Sequence, residues 1–245
     1  MPREVTLDIE TADAFADVGK YDPTLLHVSL VGVYDSGDDS YRSFLCEYAK
    51  DAKGQPVRDE NGRFKLTRTL CRDYRMDEDD VHGVFSALGD WQERGGLTDL
   101  WQVLQGAERV IGYNIINFDY GVMDRYYPGG IFRDRKRQDP RFETLDLMVE
   151  IAKNLGFRAK LDDVASATLG HGKTGHGLQA IEFYRRGEVD KLSDYCLHDV
   201  KATWDVYRAG ADGGQVKLKD RTGQLREIPV DFAVKAKKAV EMTLF

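Results

Sequence analysis

Four acidic residues far apart in this 245-residue chain fall into one pattern: Asp8 and Glu10 in LDIET, Asp119 in GYNIINFD and Asp199 in DYCLHD. EVTLDIE reads as a buried strand, and side chains two apart on a strand point to the same face, so Asp8 and Glu10 can reach one ion. Tyr195 precedes Asp199 by four residues in YCLHDVKATWDVY, a helical stretch, which puts phenol and carboxylate on one face, one turn apart. If these groups act together, segments from residue 8 to residue 199 must converge. That requirement favours one globular domain built from both strands and helices over two separate units.

An all-oxygen acidic set without Cys or His is a donor set for Mg²⁺ or Mn²⁺. Two such ions roughly 3.5–4 Å apart ionise a water near neutral pH and stabilise the leaving oxygen of a phosphodiester. A phenol with a pKa of about 10 is a weak base by itself, so Tyr195 is expected to aim that water rather than deprotonate it.

GYNIINFD and YCLHD resemble the proofreading exonuclease segments of B-family DNA polymerases, and the order of the motifs is that of the DEDD superfamily of 3'-5' exonucleases. LDLMVEI through YCLHDVKAT is similar to stand-alone predicted RNase H-like nucleases of bacteria and phages. A sister group carries a histidine five residues before the last Asp; Asp194 stands there in this chain, which puts it in the tyrosine-type branch. His198, next to Asp199, points about 100° away round the helix and is expected to lie outside the chemistry.

The resemblance implies an RNase H-like mixed central sheet flanked by helices, and two metal ions. One ion would be held by Asp8, Glu10 and Asp199. The other would be held by Asp8, the substrate phosphate and water, with Asp119 in support. It further implies that Tyr195 orients the attacking water, that Thr11 and Phe118 flank the terminal nucleotide, and that Asn114 fixes the adjoining loop. The implied activity removes nucleoside monophosphates from the 3' end of DNA or RNA, with single-stranded ends as partner, in a replication or repair setting. The alternatives are a catalytically silent RNase H-like module that binds nucleic acid or a partner protein, and an endonuclease of related fold. Four converging carboxylates, which repel one another without metal, speak against the first, and the Tyr-x-x-x-Asp helix against the second.

A hydrophobic content of 42% suffices for a sizeable core. With no run of about 18 apolar residues and no apolar signal region in MPREVTLDIE, the expectation is a cytoplasmic protein without a membrane partner. Cys46, Cys71 and Cys196 form neither an even disulfide set nor a zinc pattern, and Cys196 reads as a small buried hydrophobe. His171 and His176 lack further zinc ligands, and the GKT at 172–174 lacks the phosphate loop's first glycine, Ala167 standing there. A net charge of −7 rules out a strongly basic nucleic-acid platform and leaves local contacts. RDRKR at 133–137, Lys173, Lys235, Lys237 and Lys238 are the candidates, with a solvated loop the plainer reading of RDRKR.

Strands are expected at 4–9, in HVSLVGVYDS, YRSFLCEY and RVIGYN, and within FETLD, the last ending on Asp146, for which a structural role is favoured over direct assistance to the site. Residues 51–75 read as an inserted hairpin that leaves the core and governs substrate access. Helices are expected in DVHGVFSALGDW, in LTDLWQVLQGAE with Thr98 as N-cap, from Asp119, in LMVEIAKNLG, and in three glycine-closed segments ending near residue 210. Residues 1–210 thus form the catalytic domain, and 211–245 add a hairpin turning at Thr222-Gly223 and a short amphipathic helix. The terminal Met242-Thr243-Leu244-Phe245 resembles the peptides that dock replication and repair proteins on sliding clamps, with Glu241 where glutamine is usual; a terminus packed on the core is the competing expectation.

Overall fold

A computed structural model describes residues 2–77, 83–93, 97–127, 143–170, 177–220 and 222–233. RDRKR, Lys173, the histidine pair, Lys235, Lys237, Lys238 and the clamp-like ending lie outside the described residues. Nine strands and seven helices are described: β1 Glu4–Thr11, α1 Phe15–Val18, β2 Val28–Asp35, β3 Ser40–Tyr48, β4 Leu66–Asp77, β5 Val84–Ala87, α2 Leu97–Gln105, β6 Arg109–Gly112, α3 Asp119–Met123, β7 Glu143–Asp146, α4 Leu147–Leu155, α5 Leu161–Leu169, α6 Gly177–Arg186, α7 Val189–Gly213, β8 Gln215–Lys219 and β9 Leu225–Pro229. Seven strands form one mixed sheet in the order β5-β4-β3-β2-β1-β6-β7, and β8 and β9 pair separately. β1 runs antiparallel to β2 and parallel to β6, and β6 is parallel to β7. This is the mixed, helix-flanked sheet of the RNase H-like fold.

The alternation along β1 sorts the molecule into two sides. Val5, Leu7 and Ile9 pack with Val31 and Val33 of β2 and with Leu100, Trp101 and Leu104 of α2. The residues between them, Glu4, Thr6, Asp8 and Glu10, face the other side, where Tyr207 and Cys196 of α7 meet Glu4 and Asp8. A period of two along one strand therefore supplies both a core face and an acidic face. On the second side Leu30, Leu45 and Leu70 bury against Leu192 and Cys196 of α7 and Ala180 of α6.

Four expectations need correction. Residues 66–75 are not part of an excursion: they lie within β4, which pairs with β3 from Tyr41↔Tyr74 to Tyr48↔Leu66. The excursion is confined to residues 49–65, where two tight turns cap at Gly54 and Gly62 and Ala49 N–H closes on the Lys65 carbonyl at 2.9 Å. The described part of DVHGVFSALGDW, residues 83–91, is not helical. Its Val84–Ala87 pairs antiparallel with β4, and Gly83 and Gly89, both at positive φ, bracket a span too short for helix nucleation. Thr98 is inside α2 rather than capping it, and the Thr69 hydroxyl of β4 accepts from the Leu97 N–H instead. α7 does not stop at Gly210 but runs to Gly213, where Gly214 takes the left-handed C-cap. Gly210 lies inside the helix and lets Phe232 pack against it; a Cβ there would stand 2.4 Å from the Phe232 ring.

The β8–β9 hairpin, with Gly223 at φ +82° in its turn, buries Val216, Leu218 and Ile228 against α4, α5 and α7. Arg109, 1% exposed, ties the following segment down. Its guanidinium donates to the carbonyls of Phe232 (2.6 Å) and Ala233 (2.9 Å) and to Glu143 (3.1 Å), and lies 3.9 Å from Glu4, which also accepts from Tyr207. Both terminal nitrogens are met and Nε is left without a partner, so the two paired nitrogens offset most of the cost of burying the guanidinium.

Candidate active site

Asp8 and Glu10 stand on the α7 side of β1 near its C-terminal end, and α7 crosses over them. The helix presents Tyr195, Cys196 and Asp199, all buried. One oxygen of Asp8, one of Glu10 and the Cys196 sulfur lie within 4.8 Å of one another. Cys196 Sγ is 3.6 Å from the Asp8 carbonyl oxygen and 3.8 Å from its Oδ2. Burial, reinforced by the charges of Asp8, Glu10 and Asp199, holds that thiol well above its usual range, so it sits among the acids as a neutral S–H. Asp8 and Glu10 thus meet the thiol from β1, while Asp199 acts on it from one turn along α7.

Close approach of α7 depends on Gly32, the residue paired with Asp8 across the β1–β2 ladder. A Cβ at Gly32 would lie 2.9 Å from Cys196 Sγ and 3.1 Å from Val200 Cγ2. Nothing in the local sequence VSLVGVYD announces this, since a glycine inside a strand is usually a weakness.

Asp119 opens α3 from the other side of the sheet. Burial pushes its carboxyl up to about 7, and Asp146 adds to the rise; the Asp119 and Ile9 backbone N–H groups oppose it. The Ile9 contact sets Asp119 beside the peptide that joins Asp8 to Glu10. Asp8 and Glu10 thus lie on β1 with Asp119 against its backbone, and Asp199 lies on α7 one helical turn from Tyr195.

The loop that delivers Asp119 is held by Asp146, whose carboxylate accepts from Asn114 N–H (2.9 Å), Ile116 N–H (3.2 Å) and, as the N-cap of α4, Val149 N–H (3.3 Å). Asn114 takes a positive φ of 66°, a conformation asparagine tolerates better than most residues. Asp146 is thereby a positioning residue, in keeping with the structural role expected of it.

Thr11 is buried and its hydroxyl donates to the Asp13 carbonyl at 2.8 Å, within the loop that leaves β1. The half-buried Phe118 meets Phe15 edge-on at 6.2 Å, and Phe15 packs at 4.2 Å, tilted by 35°, on the exposed Tyr21. His198 lies apart from the acids, its ring nitrogens 2.7 Å and 3.2 Å from the carbonyls of Asp194 and Gly83. A polar pin that the sequence did not announce sits nearby. His27, 2% exposed, contacts Asp13 Oδ2 through Nδ1 at 2.8 Å, accepts from the Phe64 N–H at Nε2 and stacks on Phe64, fastening the excursion to the loop after β1.

Residues 132–231 match a family described as a predicted 3'-5' exonuclease related to the exonuclease domain of PolB. The chain resembles the DEDD 3'-5' exonucleases. Among solved structures, the family B DNA polymerase of the hyperthermophilic archaeon Pyrobaculum calidifontis shares the fold. It matches with a TM-score of 0.51 at 18% identity, over 87% of this chain and 24% of the polymerase. The zinc-bound E. coli ExoI–ssDNA complex matches at a TM-score of 0.44 and 13% identity, over 87% of this chain and 41% of that one. The chain thus spans about a quarter of the polymerase's length. No curated protein matches in sequence. No helix among the described residues is long and apolar enough to cross a membrane.

Proposed function

We propose that the chain is a two-metal-dependent 3'-5' exonuclease that releases nucleoside monophosphates from single-stranded ends. The observation that supports this reading is the approach of Asp8 and Glu10 to the Cys196 sulfur of α7, the helix that also carries Tyr195 and Asp199, with Asp119 against the Ile9 peptide. The donor chemistry suits Mg²⁺ or Mn²⁺: hard carboxylate oxygens from two strand positions and two helices, with the one sulfur held as a thiol. Asp8, Glu10 and Asp199 would hold one ion, and Asp8 with Asp119 the second. Bound there, the ions supply an ionised water and a charge clamp on the attacking and leaving oxygens.

The protein's own groups do the positioning. Tyr195, on a rigid helix one turn from Asp199, orients the attacking water. Thr11 and Phe118 border the terminal nucleotide, the Phe118–Phe15–Tyr21 row offers its base an aromatic wall, and Asn114 fixes the loop between them. The buried flanks of β1 exclude bulk water from the acids.

The test is digestion of a 5'-labelled single strand with Mg²⁺, Mn²⁺ or EDTA. Metal-dependent laddering, abolished by Asp8→Ala and reduced about 10- to 1,000-fold by Tyr195→Phe, is the expected result. Binding of the strand in EDTA with no cleavage under any metal would instead establish a recognition module.

A further inference from the structure

A second groove lies outside the acids, between the turn that joins α4 to α5 and the β8–β9 hairpin. Its volume is about 620 Å³. Arg158 and Lys160 enter it from the turn and Lys219 and Arg226 from the hairpin, while Phe157 stands 54% exposed at its edge. None of the four cations forms an ion pair among the described residues. Asp163 and Asp220 are the acids of its lining. The Asp220 carboxylate accepts within its own turn from the Thr222 hydroxyl at 2.6 Å and from the Thr222 and Gln224 N–H groups, and the charge of Arg226 also lowers its pKa. Four cations and an exposed phenyl ring converge here in a chain of net charge −7.

We propose that this groove is a second contact for single-stranded nucleic acid, in which Phe157 stacks on a base and Arg158, Lys160, Lys219 and Arg226 meet backbone phosphates. An aromatic face beside cations is the physical requirement for binding a strand without regard to sequence, because every base has a π-face and every linkage a charge. The groove is tied to the site by one side chain: Tyr113, next to Asn114, donates to the Ala159 carbonyl at 2.8 Å. In this arrangement the strand upstream of its 3' end would run from the Phe118 loop along that link to the α4–α5 turn. The inference rests on the exonuclease reading and assigns the groove to the nucleotides upstream of the scissile bond.

The test compares the full-length parent with Phe157→Ala and with Arg158→Ala/Lys160→Ala, all at exposed positions. Binding of a labelled sixteen-nucleotide single strand is followed by anisotropy in EDTA over a range of salt, and hydrolysis of that strand and of a dinucleotide is followed in Mg²⁺. Phe157→Ala should weaken binding at least about fivefold, the loss of one base stack. Arg158→Ala/Lys160→Ala should lower the slope of log affinity against log salt by about 1.4, for two phosphate contacts on a single strand. Both variants should raise KM for the long strand and leave dinucleotide hydrolysis unchanged. Cleavage by the parent with binding and KM unaltered in both variants overturns the groove assignment alone. A parent that neither cleaves nor binds any strand removes the exonuclease reading and the groove assignment with it.

Discussion

Gly32 faces Asp8 across the β1–β2 ladder, and the missing side chain is what lets Cys196 sit 3.8 Å from the Asp8 carboxylate. Gly32→Ala should cost about 1–3 kcal/mol through overpacking and slow hydrolysis more than tenfold as α7 is lifted from β1. Cys196→Ala in the same chain removes the sulfur that the new methyl would strike at 2.9 Å. Part of the lost rate and melting temperature should return in the double variant, read as a coupling energy. Strictly additive losses would contradict this account of how the helix is seated.

Asp146 is expected to act through the loop it holds. Asp146→Ala removes three backbone contacts, at Asn114, Ile116 and Val149, and should cost about 1–3 kcal/mol in urea unfolding. Hydrolysis should fall while Mn²⁺ binding at Asp8 and Glu10 survives; Asp146→Asn should recover part of the stability, because asparagine also caps helices.

The excursion can be shortened without dismantling the sheet, provided β4 is spared. Replacing residues 50–64 by a tight turn keeps Ala49 hydrogen-bonded to Lys65 and should give a folded protein with altered strand preference. Removing 51–75 deletes most of β4 and should not fold. Circular dichroism and denaturant melts of the two deletions separate these outcomes.

Arg109 should be among the most sensitive buried positions. Arg109→Met strands Glu4 and Glu143 and frees the Phe232 and Ala233 carbonyls, so a loss of about 3–5 kcal/mol is expected in denaturant unfolding. Cleavage near the C-terminal segment by a protease should accelerate in parallel, which limited proteolysis would read.

Much of the fold was legible because β1, β2, β3 and α7 carry strong local patterns, alternation in the strands and a 3.6-residue period in the helix. The acidic residues were legible for a related reason: a spacing of two on a strand and of four on a helix fixes faces without knowledge of tertiary structure. What the sequence hid depends on distant partners. Val84–Ala87 becomes a strand only because the long edge of β4 is there to pair with it. Gly32 matters only because a helix some 160 residues further on descends onto it, and Cys196, readable as a buried hydrophobe, gave no hint that its neighbours would be Asp8 and Glu10. The His27–Asp13–Phe64 pin joins three segments, none of which carries a motif.

The central claim is that the acids along β1 and α7 hydrolyse a strand one nucleotide at a time from its 3' end. Its most direct test is a single strand labelled differently at its two ends, digested in Mg²⁺ and sampled before a tenth of it is consumed. The account predicts that the 3' label leaves first, as a mononucleotide, while the 5' label stays on strands shortened one residue at a time, and that Asp8→Ala and Asp199→Ala release neither. Early appearance of internal fragments, or release of the 5' label first, would contradict it.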